Sequence, residues 1–374
     1  MLRKILFENV NNYWRNIDKA ILICFVMLFI LGIFFSFSST STLAGERLNK
    51  DYYFFFTKHL VFSCLALFLM IFISNINLKI INSLVTPLFI ICFLLLICVP
   101  FFGLEVKGSK RWLDFYLFRF QPIELVKPFF ILITAKILSN ENLKKNTFSY
   151  LLSFFVLLSV ITFLILQPDL GQSILLVCTW ISIIFISGVS ILIILSFLGI
   201  SVVTLSSLVI IFPERFGYII KRFVSFLDPT KGDSFQSQKA LDAIKQGGLK
   251  GQGMGEGILK ESVPEAHTDY IIAVISEEFG SLISISLVIL FLYISYRIIK
   301  FTIFEKNRNI KISLCGLTTL LIFQTFIHIG VNTSLLPTTG MTLPFLSYGG
   351  SSLLGSGVLA GIILNFTRSR SIYE

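Results

Sequence analysis

The sequence predicts an all-α integral membrane protein with about ten transmembrane helices. Three observations carry that expectation. Of the 374 residues, 55% are apolar and only 14% charged, with a mean hydropathy of +0.85, and one soluble core cannot hide so much apolar surface. The apolar residues collect in runs close to the roughly 20 residues a helix needs to cross a bilayer. Lys and Arg gather in the short segments between alternate runs, as the positive-inside rule requires.

The runs fall at 20–39, 60–77, 82–102, 122–138, 148–166, 171–188, 191–212, 270–297, 312–333 and 348–366. The first follows Arg3, Lys4, Arg15 and Lys19. It is too long for the apolar stretch of a signal peptide, so an uncleaved first helix is expected. Pro122 opens the fourth run, where proline suits a first helical position. Gln167, Pro168 and Asp169 form a tight turn between the fifth and sixth. The segment 336–352, LPTTGMTLPFLSYGGSS, carries no charge and two prolines. It is too broken for a helix and too apolar for a solvated loop, and reads as re-entrant chain that protein or a polar cavity must satisfy.

With the N-terminus in the cytoplasm, the inside loops hold Lys79; Lys136, Lys144 and Lys145; Arg297, Lys300, Lys306, Arg308 and Lys311; and Arg368 and Arg370 follow the last run. Both termini are then cytoplasmic. This orientation sends the loops 41–59, 103–121, 167–170, 213–269 and 334–347 outside, the large one lying between helices 7 and 8. The whole chain 1–374 reads as a single polytopic membrane domain.

The net charge of +10 belongs to these membrane flanks and not to a nucleic-acid surface. The 40 Phe travel with many Ile, Lys and Asn, which fits a compositional bias better than a stacking surface. All six cysteines lie in apolar runs without CxxC spacing, and read as small buried residues rather than metal ligands or disulfides.

Several polar constellations break the apolar pattern. Glu124 and Lys127, at i and i+3, share a helix face and can pair, which lipid makes costly unless they face protein or a wet cavity. Lys107, Lys110 and Arg111 form an outside basic cluster before Trp112 and Asp114. Such a cluster suits an anion such as a pyrophosphate, or is simply a solvated loop. Asp169 is placed to cap the sixth helix. The stretch GGLKGQGMGEG at 247–257 lacks the strand a nucleotide cradle needs, and reads as a flexible, close-packing loop. Asp269 stands at the outer edge of the eighth span, where partial desolvation favours proton uptake and suits a general base; an N-cap is the plainer reading. Glu277 and Glu278 lie two turns deeper in that span.

The stretches GSKRWLDF (108–115), FQPIELVKP (120–128), LQPDLGQS (166–173), PEAHTDY (264–270) with EEFG (277–280), and LPTTGMTLPFLSYGGSS (336–352) resemble the SEDS family of bacterial cell-wall polymerases, in family order. AGERLNKDYYFFFTKH (44–59) and FLDPTKGDSFQSQKALDAIKQGGLKGQGMGEG (226–257) look more like its FtsW branch than its RodA branch. Ile123 stands where the family usually has Ser, and Tyr270 where it usually has Phe.

The resemblance implies a peptidoglycan glycosyltransferase that polymerises lipid II in the bacterial inner membrane, at the division septum. It implies a class B penicillin-binding protein and other divisome membrane proteins as partners, and no nucleic acid. Asp269 maps onto the family's catalytic Asp. Substrate is expected at Lys110, Arg111, Glu124, Lys127, Asp169, His267, Glu277, Ser347, Tyr348, Ser351 and Ser352. A divalent cation, Mg or Mn, is the cofactor expectation. Two rival readings are a lipid II transporter, for which intramembrane charges would line a wet cavity, and a scaffold that only recruits a transpeptidase.

Overall fold

The computed structural model describes Trp14 and residues 16–39, 53–106, 108–116, 118–140, 148–211, 213–228 and 235–368. Arg3, Lys4 and Arg15, the 44–52 stretch, Lys107, Lys144, Lys145, residues 229–234 and Arg370 lie outside the described residues.

Each of the ten expected spans falls on a helix: α1 Lys19–Ser39, α2 Phe54–Ser74, α3 Leu78–Phe102, α4 Ile123–Ser139, α5 Phe148–Leu166, α6 Leu170–Ile186, α7 Ile191–Ile211, α10 Ile271–Phe304, α11 Arg308–Asn332 and α12 Gly350–Phe366. Six of them, α1, α2, α3, α5, α10 and α11, are long and apolar enough to cross a membrane. The chain is therefore a multi-pass membrane protein. The helices α4, α6 and α12 are shorter, at 17 residues each. Of these, α12 is buried along nearly its whole length and packs chiefly against α2. Large apolar side chains of α1, α2 and α3 face outward instead, such as Ile30, Phe68 and Leu94, as a lipid-facing surface does.

Two segments expected to be loops are structured. The described residues within 103–121 form a three-stranded antiparallel sheet, β1 Leu104–Val106, β2 Ser109–Asp114 and β3 Arg119–Phe120, in the order β1-β2-β3. Its turn passes through Gly108 at φ 76°, and Lys110 pairs with Glu105. The segment 213–269 contains α8 Pro213–Leu227, α9 Phe235–Gly247 and a 3-10 turn at Leu259–Glu261. Both were hidden because short strands and polar helices leave no apolar run. The cysteine expectation also needs correction, since Cys64 is exposed while Cys24 and Cys92 are buried; in a membrane helix an apolar residue can face lipid as readily as core.

Helix α10 is broken at Gly280 (φ 83°, ψ 167°), and the glycine-rich loop fills the break. The carbonyls of Glu277 and Glu278 accept the N–H groups of Gln252 (2.9 Å) and Gly253 (3.0 Å), and Ser281 N–H donates to Gly248 (2.9 Å). A Cβ on Gly251 would stand 2.2 Å from the Glu278 carbonyl oxygen, so only glycine permits this approach. The segment between α11 and α12 is non-helical up to Gly349 yet buried at Met341, Leu343, Phe345 and Leu346. Phe345 packs against Phe25 and Phe29 of α1, with ring centroids 5.3 and 5.1 Å apart.

Candidate active site

The N-terminal edge of α10, the β2 strand, the α5–α6 turn and the 337–349 segment meet at one point. Gly340, at φ 70°, marks it: a Cβ built there would lie 3.4 Å from Asp269 Oδ2 and 3.6 Å from Arg111 Nη1. Asp269 is not the cap of α10. That position is Tyr270, without a side-chain cap bond, so the capping explanation of Asp269 does not apply.

Arg111 comes to the site because β2 turns Arg111 and Leu113 inward, successive side chains on a strand facing opposite ways. The same alternation turns Lys110 away from Arg111, so the expected Lys110–Arg111 pair does not share a face. Arg111 Nε donates to the Gln167 carbonyl (3.3 Å), Nη2 donates to the Pro168 carbonyl, and Nε lies 3.9 Å from Asp169 Oδ2. Asp169 caps α6, accepting Gln172 N–H at 3.4 Å. Burial raises the Asp169 pKa, against the opposing pull of Arg111.

The second cation at this place is Arg222, on α8. Its Nη1 donates to the Thr338 carbonyl at 3.2 Å. Burial and the nearby Arg111 charge lower its pKa, and Asp169 raises it. Reading the sequence missed Arg222 because 213–269 was taken as loop; the amphipathic alternation of PERFGYIIKRFVSFL (213–227) was the signal available.

Below this point lies a buried polar chain. Lys127 Nζ and Glu124 Oε2 are 2.8 Å apart, Gln172 Nε2 donates to Glu124 Oε1 (3.0 Å), and Lys127 Nζ donates to Gln324 Oε1 (3.2 Å). The pair is thus paired and hydrogen-bonded within protein, the condition under which buried charge is tolerated. Gln324, His328 and Asn332 form a stripe at four-residue spacing on α11, also missed in the sequence. Gln324 Nε2 donates to the Thr342 carbonyl (3.1 Å), His328 Nδ1 to that of Met341 (2.8 Å), and Asn332 Nδ2 to that of Asp269 (3.0 Å).

The remaining expected residues are spread around this centre. The His267 ring lies beside Phe55 (4.6 Å between centroids) and Tyr348 (5.7 Å). The Ser351 hydroxyl accepts Gln121 N–H (2.8 Å), and that of Ser352 meets Thr342 Oγ1 (2.7 Å). The Glu277 carboxylate accepts the N–H groups of Leu259 (2.7 Å) and Lys260 (2.8 Å), while Glu278 pairs with Lys260 and Ser38. Both glutamates hold the 3-10 turn against α10. Among the described residues no three His, Cys, Asp or Glu side chains converge on a metal position.

An Arg pair with its carboxylates at this cluster of loops is suited to holding a dianionic group beside a carboxylate that can accept a proton. The comparisons agree with such a fold. The chain resembles the structure reported as "Structural coordination of polymerization and crosslinking by a peptidoglycan synthase complex" at 24% identity, with a TM-score of 0.76, covering 94% of this chain and 97% of that one. It resembles the Rod shape determining protein RodA of Thermus thermophilus at 24% identity and a TM-score of 0.69, covering 95% and 97%. In sequence it is 32% identical over 359 residues to the "Probable peptidoglycan glycosyltransferase FtsW" of Caulobacter vibrioides, covering 96% of this chain and 91% of that protein. It is 34% identical over 363 residues to the "Stage V sporulation protein E" of Bacillus subtilis, covering 94% and 97%. Residues 18–372 match the FtsW/RodA/SpoVE family, described as "Cell cycle protein", and the chain belongs to that family.

Proposed function

We propose that this protein is a peptidoglycan glycosyltransferase that polymerises lipid II into glycan strands for septal wall synthesis. The observation that carries this reading is the meeting of Asp269 and Arg111 at Gly340. The reaction is an inverting transfer. The acceptor is the 4-hydroxyl of the GlcNAc of lipid II, and the donor is a MurNAc on undecaprenyl pyrophosphate. Asp269 takes the acceptor proton as the hydroxyl oxygen attacks the anomeric carbon. The carbon–oxygen bond to pyrophosphate breaks, and the charge gathering on the leaving group is met by Arg111 and Arg222. Because pyrophosphate leaves as an anion, no carboxylic acid is needed to protonate it, unlike the glycosidase pattern.

The described residues offer no cage for a divalent cation. A Mg or Mn ion would sit on the substrate phosphates with one or two carboxylates, Asp269 or Asp169, as Mg commonly does. It would add positive charge where the arginines already supply it.

We further propose an inner-membrane protein with ten spans, cytoplasmic termini and the site on the outer face. Its partners are a class B penicillin-binding protein, which cross-links the new strands, and other divisome membrane proteins. Support for the septal assignment over elongation comes from the FtsW names of several relatives. The test is to purify the full chain with the class B penicillin-binding protein of the same cell, supply lipid II, and resolve the products. Wild type should make polymer, and Asp269→Asn should lose about 10²–10⁴-fold in rate while still inserting in the membrane. Near-normal synthesis by Asp269→Asn removes the proposed base. Absence of polymer from wild type favours the transporter reading.

A further inference from the structure

We infer that Asn332 and Ser347 are positioning residues for Asp269, an inference that rests on the proposed role of that carboxylate as base. Asp269 stands just before the α10 N-cap Tyr270. In a helix continued backward, the Asp269 carbonyl would receive Ala273 N–H, but Ala273 N–H donates to the Tyr270 carbonyl at 3.0 Å. The Asp269 carbonyl receives Asn332 Nδ2 from α11 at 3.0 Å. The carbonyl before it, that of Thr268, receives the Ser347 hydroxyl from the 337–349 segment at 2.6 Å. Two successive peptide units at the base are therefore held by side chains remote in sequence.

Both holders are themselves fixed. Asn332 is fully buried, and its amide also donates to the His328 carbonyl one turn back, at 2.8 Å. Ser347 is buried, and its oxygen accepts Leu343 N–H at 2.8 Å. A serine has one proton to give, and here it goes to Thr268. Ser347 was expected to touch substrate; the geometry assigns it to the backbone beneath the base.

The turn that leads to Asp269 needs such restraint. Glu265 adopts φ 57°, and a non-glycine residue there persists only where its surroundings over-determine it. A base must stay within about half an ångström of its working position, and a displacement of about 1 Å can cost on the order of 10²-fold in rate. Loss of either holder lets the 265–269 turn relax and carries the carboxylate off the acceptor hydroxyl, without touching the groups that bind pyrophosphate.

The experiment measures steady-state lipid II polymerisation and thermal unfolding of the full chain, co-purified with its penicillin-binding protein, for Ser347→Ala and Asn332→Leu, alone and combined with Asp269→Asn. The expected result is a kcat lowered about 10–100-fold with KM for lipid II unchanged. No further loss should appear on the Asp269→Asn background, because the holders act through that side chain. A raised KM with normal kcat would make Ser347 a substrate contact and overturn the inference. So would a second, multiplicative loss on the Asp269→Asn background, or wild-type kcat in both single variants while Asp269→Asn is inactive. Asp269→Asn at the wild-type rate instead overturns the proposed base, and the positioning role with it. If Asn332→Leu fails to fold, Ser347→Ala, which deletes a single oxygen, decides by the same criteria.

Discussion

Asp269 and Arg111 approach each other across the bare backbone of Gly340, whose missing Cβ would stand 3.4 Å from Asp269 Oδ2 and 3.6 Å from Arg111 Nη1. A carboxylate and a fixed guanidinium thereby face one small space without a side chain between them. Under the proposed reaction, a cation held beside that space meets the charge gathering on a departing pyrophosphate anion.

The first prediction concerns Gly340 itself. Its φ of 70° is left-handed, and a Cβ there costs roughly 1–2 kcal/mol. A methyl group also enters the space between the Asp269 carboxylate and the Arg111 guanidinium. Gly340→Ala should lower the unfolding temperature modestly and cut polymerisation by about tenfold or more. Unaltered polymerisation by a folded Gly340→Ala protein would show that substrate does not pass between Asp269 and Arg111.

A second prediction concerns the Glu124–Lys127 pair, both partners buried and 2.8 Å apart. Removing one partner leaves a buried charge alone and should cost about 3–5 kcal/mol, read as loss of stable protein for Glu124→Ala or Lys127→Ala. The exchange Glu124→Lys with Lys127→Glu tests whether the pair is structural. Gln172 and Gln324 present amides to it, and an amide can turn its donor or acceptor end. The exchange should therefore restore a large part of the stability and activity. If it restores folding but no polymer forms, Lys127 has a role toward the anionic substrate; if both single Ala variants polymerise lipid II normally, the pair has no role toward substrate.

Asp169 gives a pH prediction. Burial raises its pKa above the ordinary carboxylate value of about 3.9. The folded protein then keeps the Asp169 proton at pH values where the unfolded chain has lost it. The stabilisation from this group is present at low pH and is lost as pH rises through the raised value. Asp169→Asn removes that dependence. The unfolding temperature of wild type relative to the variant should climb as pH is lowered from about 7 towards 4. A difference that stays flat or falls would place the Asp169 pKa at or below the ordinary value.

The fourth prediction is topological. From the short-loop Lys and Arg, residues 300–311 are expected in the cytoplasm and 213–269 outside. Lys306 is exposed in 300–311 and Glu256 in 213–269. In intact spheroplasts, a membrane-impermeant thiol reagent should label Glu256→Cys and spare Lys306→Cys, in a background without native cysteines. The reverse pattern inverts the orientation and moves the site to the cytoplasmic face.

The sequence by itself determined the relations that lie within one helix or one turn. Apolar runs placed every membrane-length helix, from α1 at Lys19–Ser39 to α11 at Arg308–Asn332. The i, i+3 spacing of Glu124 and Lys127 made their pairing a local matter, and the 167–169 turn made Asp169 the cap of α6. The breaks in 336–352 announced unwound chain at a place where α11 and α12 leave it buried. Tertiary structure alone decided which of these features meet. It turned Arg111 toward Asp269 and Lys110 away, because the strand that orients them pairs only once Glu105 faces Lys110. It brought in Arg222 from a helix without an apolar run, and set Asn332 under Asp269. Periodicity encodes which face a residue occupies on its own element. The distance between two elements depends on how helices and buried loops pack, and that is a property of all of them together.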